Sequence, residues 1–229
     1  MLNLLDNNTT IGTVTAEIPG AGEIFERYGI DFCCGGHRLL SIVIREQGLE
    51  EEIVYGELEQ LRRERTNSYQ GSSYTEMNPA GLTAYIEDTH HSYLRRALPE
   101  IAELLNTILR VHGKNHKELF EVYRLFGTLK TDLEQHLLKE ETMLFPSFEE
   151  EEANREEISE LSAEIIREHE AAGEILLKLR LVTKDYAIPE DVCGTFIRTY
   201  ESLLELEKDL HQHIHLENNI LLKEYDIRK

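Results

Sequence analysis

The sequence predicts an all-α fold: a four-helix bundle preceded by a smaller helical domain. Three observations predict it. Apolar residues recur at steps of three and four over most of the last 150 or so positions, no stretch alternates with the period of two that a half-buried strand needs, and 229 residues is long for one domain. Hydrophobic residues make up 41% of the chain and charged residues 30%, enough to build a core, so wholesale disorder is excluded.

Taken in order, residues 1–66 hold short helical pieces around 12–18, 21–28, 38–47 and 49–65, broken by Pro19-Gly20 and by Cys33-Cys34-Gly35-Gly36. They read as a small helical domain. Residues 67–78 are polar, carry Gly71 and offer little that could pack, which makes them the linker. Residues 79–229 form the bundle. Asn78 caps and Pro79 opens its first helix, which runs to about Val111 and closes at Gly113. The second runs from about Asn115 to Phe145, where Pro146 stops it. After the acidic run 149–152, a solvated loop, the third spans about 155–183, and the fourth extends from Pro189 to about Tyr225. Four such helices with short connections give up-down-up-down topology.

Composition narrows the function. Twenty-four Lys plus Arg against 44 Asp plus Glu leave a formal charge of −20, which repels phosphate backbones and anionic membrane surfaces. Neither nucleic acid nor membrane is expected as a partner. Three cysteines are too few for a disulfide framework, and the start lacks the basic and apolar regions of a signal peptide, so a reducing cytoplasm is expected. Ten histidines beside no tryptophan direct attention to metal.

Periodicity sorts those histidines. In the second helix, steps of three and four link Leu119, Val122, Phe126, Leu129, Leu133, His136, Glu140 and Met143. The fourth repeats the pattern through Leu203, Leu206, Leu210, His213, Glu217 and Ile220, leaving His211 and His215 to face outward or sideways. The first selects His91 over His90, and the third brings His169 inward with Ile158, Ile165, Ala172, Leu176 and Leu179. Each helix thus contributes one inward His, and two add a Glu four residues later, on the same face. His91 lies 22 residues before Gly113 and His136 lies 23 after it, so they meet in an antiparallel hairpin. The third turn matches less well and requires a kink or a longer connection.

A single inward His is usually a hydrogen-bonded core residue. Four of them with two buried carboxylates are different, because each uncompensated carboxylate costs several kcal/mol, on the order of what a metal ion can repay. Nitrogen and oxygen ligands without thiolate favour iron or manganese over a closed, Cys-rich zinc site. If both carboxylates bridge, six residues fill eight of about twelve octahedral positions, and an oxo or hydroxo bridge takes two more.

The segments THHSYLRRALPEI, EQHLLKEETMLFP, IIREHEAAGEIL and HIHLENN resemble the hemerythrin-like HHE bundle, and IDFCCGG resembles the N-terminal domain attached to it in the family of proteins for repair of iron centres. The resemblance covers nearly the whole chain. It places the family's ligands on His91, His136, Glu140, His169, His213 and Glu217, the set that periodicity selects. One departure is the continuation of the fourth helix as ILLKEYD, where an apolar-Phe-Pro ending is common. The resemblance implies a cytoplasmic, stress-responsive protein with two bridged irons, a homodimer that helps restore iron–sulfur proteins damaged by nitric oxide or peroxide. It leaves open whether the protein donates iron or acts as an enzyme reducing nitric oxide or peroxide. An oxygen- or nitric-oxide-sensing hemerythrin is the weaker reading, since this site offers four His where oxygen carriers have five.

Cys33 and Cys34 precede an expected helix start near Arg38, with His37 beside them, a setting that lowers thiol pKa. By resemblance the pair is functional, passing iron, sulfur or electrons. Adjacent cysteines do not chelate one metal comfortably on their own, which favours a transient role or pairing between chains. Cys193 reads as structural. His112 and His116 read as helix-end residues, and Glu87, Glu141 and Glu168 as a solvated acidic face rather than as supports for the ligands.

Overall fold

The computed structural model describes residues 6, 8–68, 74–148, 154–226 and 228. The acidic run 149–152 and residues 69–73 of the expected linker lie outside them. Described residues are mostly helical, joined by turns and irregular loops, with one isolated bridge between Thr10 and Leu39. Among the described residues nine α-helices follow one another: α1 (Ile11–Glu17), α2 (Ala21–Tyr28), α3 (Leu40–Glu46), α4 (Glu51–Ser68), α5 (Pro79–Ile86), α6 (Ser92–His112), α7 (Glu118–Lys139), α8 (Arg155–Thr183) and α9 (Gly194–Leu216). Within the expected linker, α4 reaches Ser68 and a short 3₁₀ turn covers Tyr74–Glu76.

Contacts divide the chain into two compact units. One holds the described residues up to Thr83 together with those from His211 onward, and the other is Ala84–Leu210. α9 passes from the second to the first.

In the second unit, α6 to α9 pack around Leu98, Ile101, Leu105, Phe126, Leu129, Leu176, Leu179, Phe196, Leu203 and Leu206, the apolar seams that the three-four spacing picks out. Each such side chain, fully buried, contributes about 1.5–3 kcal/mol. The connection after α8 is costly by itself. Lys184, Asp185 and Tyr186 have φ of 53°, 59° and 56°, the left-handed region that side chains with a Cβ avoid. Polar anchors hold them there: Asp185 N donates to Arg180 O at 2.8 Å, and the Tyr186 hydroxyl donates to Glu207 Oε2 at 2.6 Å. Arg180 Nε holds the other oxygen of the buried Glu207 at 2.5 Å. This turn delays the fourth helix to Gly194 rather than Pro189. It is the longer connection that the ligand depths require.

The first unit packs α1 to α4 around Ile11, Val14, Phe25, Ile30, Phe32, Leu40, Ile44, Val54 and Leu58. Thr10 caps α1, its Oγ1 accepting from Thr13 N at 3.2 Å. Gly29 ends α2 with φ of 65°, where a side chain would be strained. The same unit includes the end of α9 and the turn beyond it, and that turn packs against α1.

Candidate metal centre

Among the described residues three turns of π-helix interrupt the bundle helices: Glu87–His91, Glu140–Leu144 and Glu217–Leu221. Each is made by an i to i−5 bond, as when Phe145 N donates to Glu140 O at 2.8 Å and Leu222 N to Glu217 O at 2.7 Å. An expected ligand ends the first and begins each of the other two. One extra residue per turn shifts the phase of everything that follows, and such turns concentrate at functional sites. The shift corrects the seams. Met143, expected inside, is 52% exposed while Leu144 is buried, and beyond Glu217 it is Leu221 rather than Ile220 that is buried.

All six expected ligands are buried, with exposure of 4% or less. In the second unit, His91 Nε2 and His136 Nε2 each lie 3.3 Å from Glu140 Oε2, and His169 Nε2 lies 3.2 Å from His136 Nε2. Phe145 stacks on His91 with ring centres 5.5 Å apart. In the first unit, His213 Nε2 lies 3.0 Å from Glu217 Oε1 one turn on, as the i, i+4 spacing dictates.

The far side of two rings fixes which nitrogen faces inward. His91 Nδ1 donates to Glu141 Oε1 at 2.7 Å, and His136 Nδ1 donates to Glu168 Oε2 at 2.9 Å. Arg95 holds Glu141 in turn, and Lys139 holds Glu168. With Nδ1 carrying the proton, each Nε2 presents a lone pair, so these two nitrogens converge with a carboxylate oxygen as acceptors alone. Acceptors at 3.3 Å repel unless a cation lies among them. The donor set therefore fits a metal ion, in the carboxylate–histidine–metal pattern that orients ligating imidazoles.

Both supporting carboxyls are charged. The His136 hydrogen bond, against burial and with help from Lys139, brings Glu168 down to about 2. Burial pushes Glu141 up, but hydrogen bonds from His91 and Arg95 outweigh it and leave it below its ordinary value. Glu141 and Glu168 thus orient the imidazoles of His91 and His136, contrary to the reading as a solvated face. Periodicity within one helix missed them. Glu87 opens the first π turn.

Other histidines also differ from expectation. His90 is buried, its Nδ1 2.9 Å from Asp209 Oδ1. His215 is buried as well, beside Phe32 and 3.1 Å from Asn219 Nδ2, and burial pushes it down to about 4, so it is neutral at pH 7. His211 is partly exposed, 3.5 Å from Glu26. His112 and His116 lie at the connection between α6 and α7, as expected.

The thiol settings of Cys33 and Cys193 differ from expectation. α3 begins at Leu40, and the Cys33 thiol is raised well above its ordinary value by its contact with the Cys34 thiol and by burial. Cys193, expected to be structural, is exposed at the start of α9. His112 Nε2 at 3.2 Å, with backbone N–H groups of Phe196 and Thr195, lowers its thiol to about 7.

Comparison with known proteins gives matches over most of the chain. Residues 83–225 match the hemerythrin HHE cation binding domain, and residues 7–62 match a domain of unknown function, DUF542. The iron-sulfur cluster repair protein ScdA of Staphylococcus haemolyticus is 27% identical over 97% of this chain and 100% of its own length. A Haemophilus influenzae protein named probable iron-sulfur cluster repair protein is 31% identical over 92% of this chain and 93% of its own. The iron-sulfur cluster repair protein YtfE of Yersinia pestis is 29% identical over 93% and 95%.

Proposed function

The chain belongs to the hemerythrin HHE cation-binding family, and from that premise we propose that it is a di-iron protein which repairs damaged iron–sulfur clusters by supplying iron. The observation that carries the metal reading is Glu140 Oε2, buried and 3.3 Å from two imidazole nitrogens whose outer nitrogens are pinned by carboxylates. In this reading His91, His136, His169 and His213 each bind one iron, and Glu140 and Glu217 bridge the pair. His213 and Glu217 join the set because they continue the α9 seam of Leu203, Leu206 and Leu210, which packs with α6 to α8. The family match spans all six positions.

Ligand chemistry supports donation. Histidine and carboxylate hold iron without thiolate, so the iron can pass to sulfur ligands that prefer it. The names of the relatives point to iron–sulfur proteins as recipients. The reading also takes the protein as a cytoplasmic homodimer serving cells under oxidative or nitrosative stress. No helix among the described residues is long and apolar enough to cross a membrane.

The test is reactivation of an enzyme whose [4Fe–4S] cluster has been damaged by peroxide or nitric oxide. Iron-loaded protein should restore activity faster than the same amount of free ferrous iron, and the Glu140→Ala form should not. If wild type does no better than free iron but consumes nitric oxide over many turnovers, the protein is an enzyme and the donor reading falls.

A further inference from the structure

The loop that carries the paired cysteines brings a carboxylate within reach of both thiols. Cys33 Sγ and Cys34 Sγ are 3.9 Å apart, and Asp31 Oδ1 lies 3.3 Å from Cys33 Sγ. All three donor atoms lie within 4.8 Å of one another. A tetrahedral ion with metal–sulfur bonds of about 2.3 Å and a metal–oxygen bond of about 2.1 Å needs edges of roughly 3.8 Å between sulfurs and 3.6 Å between sulfur and oxygen. The sulfur–sulfur separation and the one between Cys33 Sγ and Asp31 Oδ1 are within about 0.3 Å of these.

The loop is held in that shape from outside. Asp31 Oδ1 accepts the backbone N–H groups of Cys33 at 3.1 Å and Cys34 at 2.9 Å, which fixes the carboxylate under both thiols. The Cys33 carbonyl accepts from the side-chain amides of Asn218 at 3.3 Å and Asn219 at 3.2 Å. The Cys34 carbonyl accepts from Arg228 Nη1 at 3.2 Å and faces His37 Nδ1 at 3.2 Å. The two glycines that follow leave no room for change: a Cβ on Gly35 would lie 2.7 Å from Asp31 O, and one on Gly36 would lie 2.1 Å from Asn219 Oδ1. So much fixed geometry around two thiols exceeds what packing a small hydrophobe requires. It offsets in advance the ordering cost that adjacent cysteines otherwise incur in binding one ion.

We propose that Asp31, Cys33 and Cys34 bind a single thiophilic divalent cation of the zinc or ferrous class, with the fourth position open to solvent or to an incoming ligand. Two sulfur–metal bonds form as the two thiol protons leave to water, and no electron changes hands. Soft thiolates select such ions, whereas the histidine–carboxylate centre has none to offer. Asp31 is exposed and Cys34 half-buried, so the site suits exchange more than structural support. Because the thiols must lose their protons, binding strengthens as pH rises.

Cobalt(II) provides the readout, since only thiolate ligation gives it an intense near-ultraviolet sulfur-to-metal band. Iron-loaded full-length protein should take up one equivalent of cobalt per chain with that band, and added zinc should displace it. Cys33→Ser and Cys34→Ser should abolish the band, while Cys193→Ser should leave it unchanged. Asp31→Asn keeps an oxygen for the two backbone N–H groups but removes the charge, and should weaken cobalt binding about tenfold or more. Zinc should also slow alkylation of Cys33 and Cys34 in the wild-type protein without slowing that of Cys193, a measurement that needs no variant to fold. Absence of the band, its loss in Cys193→Ser, unchanged affinity in Asp31→Asn, or no protection by zinc would each overturn the proposal.

Discussion

Glu168 accepts the Nδ1 proton of His136 and is itself held by Lys139, so it sets the basicity of that imidazole, which the proposed centre uses as a ligand. Glu168→Gln should weaken iron retention by about 10–100-fold, read as faster loss to a chelator, with the melting temperature of the metal-free protein little changed. Equal retention would remove Glu168 from the site. Cys193 offers a second prediction. Its thiol is lowered to about 7, so its alkylation rate should rise as pH passes through 7 and level off above about 8, where it is all thiolate. His112→Ala should move that midpoint upward, and Cys33, whose thiol is raised, should react slowly at pH 7. A midpoint unmoved by His112→Ala would rule out the imidazole as its cause. These residues mark the limit of sequence reading. His91, His136, His169 and His213 were legible because each interrupts an apolar seam on its own helix. His215 was not, because what buries it includes Phe32, far away in sequence. The same holds for Cys193, whose partner His112 lies 81 positions earlier.

At the level of elements, the helices were legible because apolar steps of three and four continue for several turns, and α8 spans Arg155–Thr183 as the spacing indicates. The π turns were not. A residue inserted into a helix leaves the composition unchanged, and its only trace is a slip in the seam, from Glu140 to Leu144 instead of Met143. Deleting Thr142, which is exposed within the second π turn, should convert that turn to α-helix, with Leu144 then three residues after Glu140 and still on the seam, and with the Phe145 N to Glu140 O bond becoming an ordinary α-helical one. Leu144 and Phe145 are buried and keep their faces, so we expect the melting temperature of the metal-free protein to change little, while the wider turn that presents Glu140 and Glu141 to His91 is lost and iron is released faster. Thr142→Ala keeps the turn and should stay within about 0.5 kcal/mol of wild type. Thermal melting with iron analysis decides between these outcomes, and an iron-replete deletion variant would show the π turn to be incidental.

Across the whole molecule, division at residues 67–78 treats 79–229 as a bundle sufficient to itself, and a fragment cut there should keep its iron. The grouping of residues from His211 onward with the N-terminal helices leads to the opposite expectation. In that fragment Asn218 and Asn219 lose the carbonyls of Phe32 and Cys33, and His215 loses the Phe32 ring. We expect the fragment to melt lower than the intact chain and to lose iron faster. Identical melting and retention would restore the simpler division. The same grouping orders events during synthesis. Between Thr83 and His211 the ribosome must add 127 residues, which takes roughly 6–25 s at ordinary elongation rates. Throughout that interval the cysteine loop has emerged, yet the asparagines that clamp its carbonyls have not been made. A nascent chain therefore carries its paired thiols on an unclamped loop, and any ion they take up before Asn218 and Asn219 arrive must bind without the geometry that those side chains hold in place.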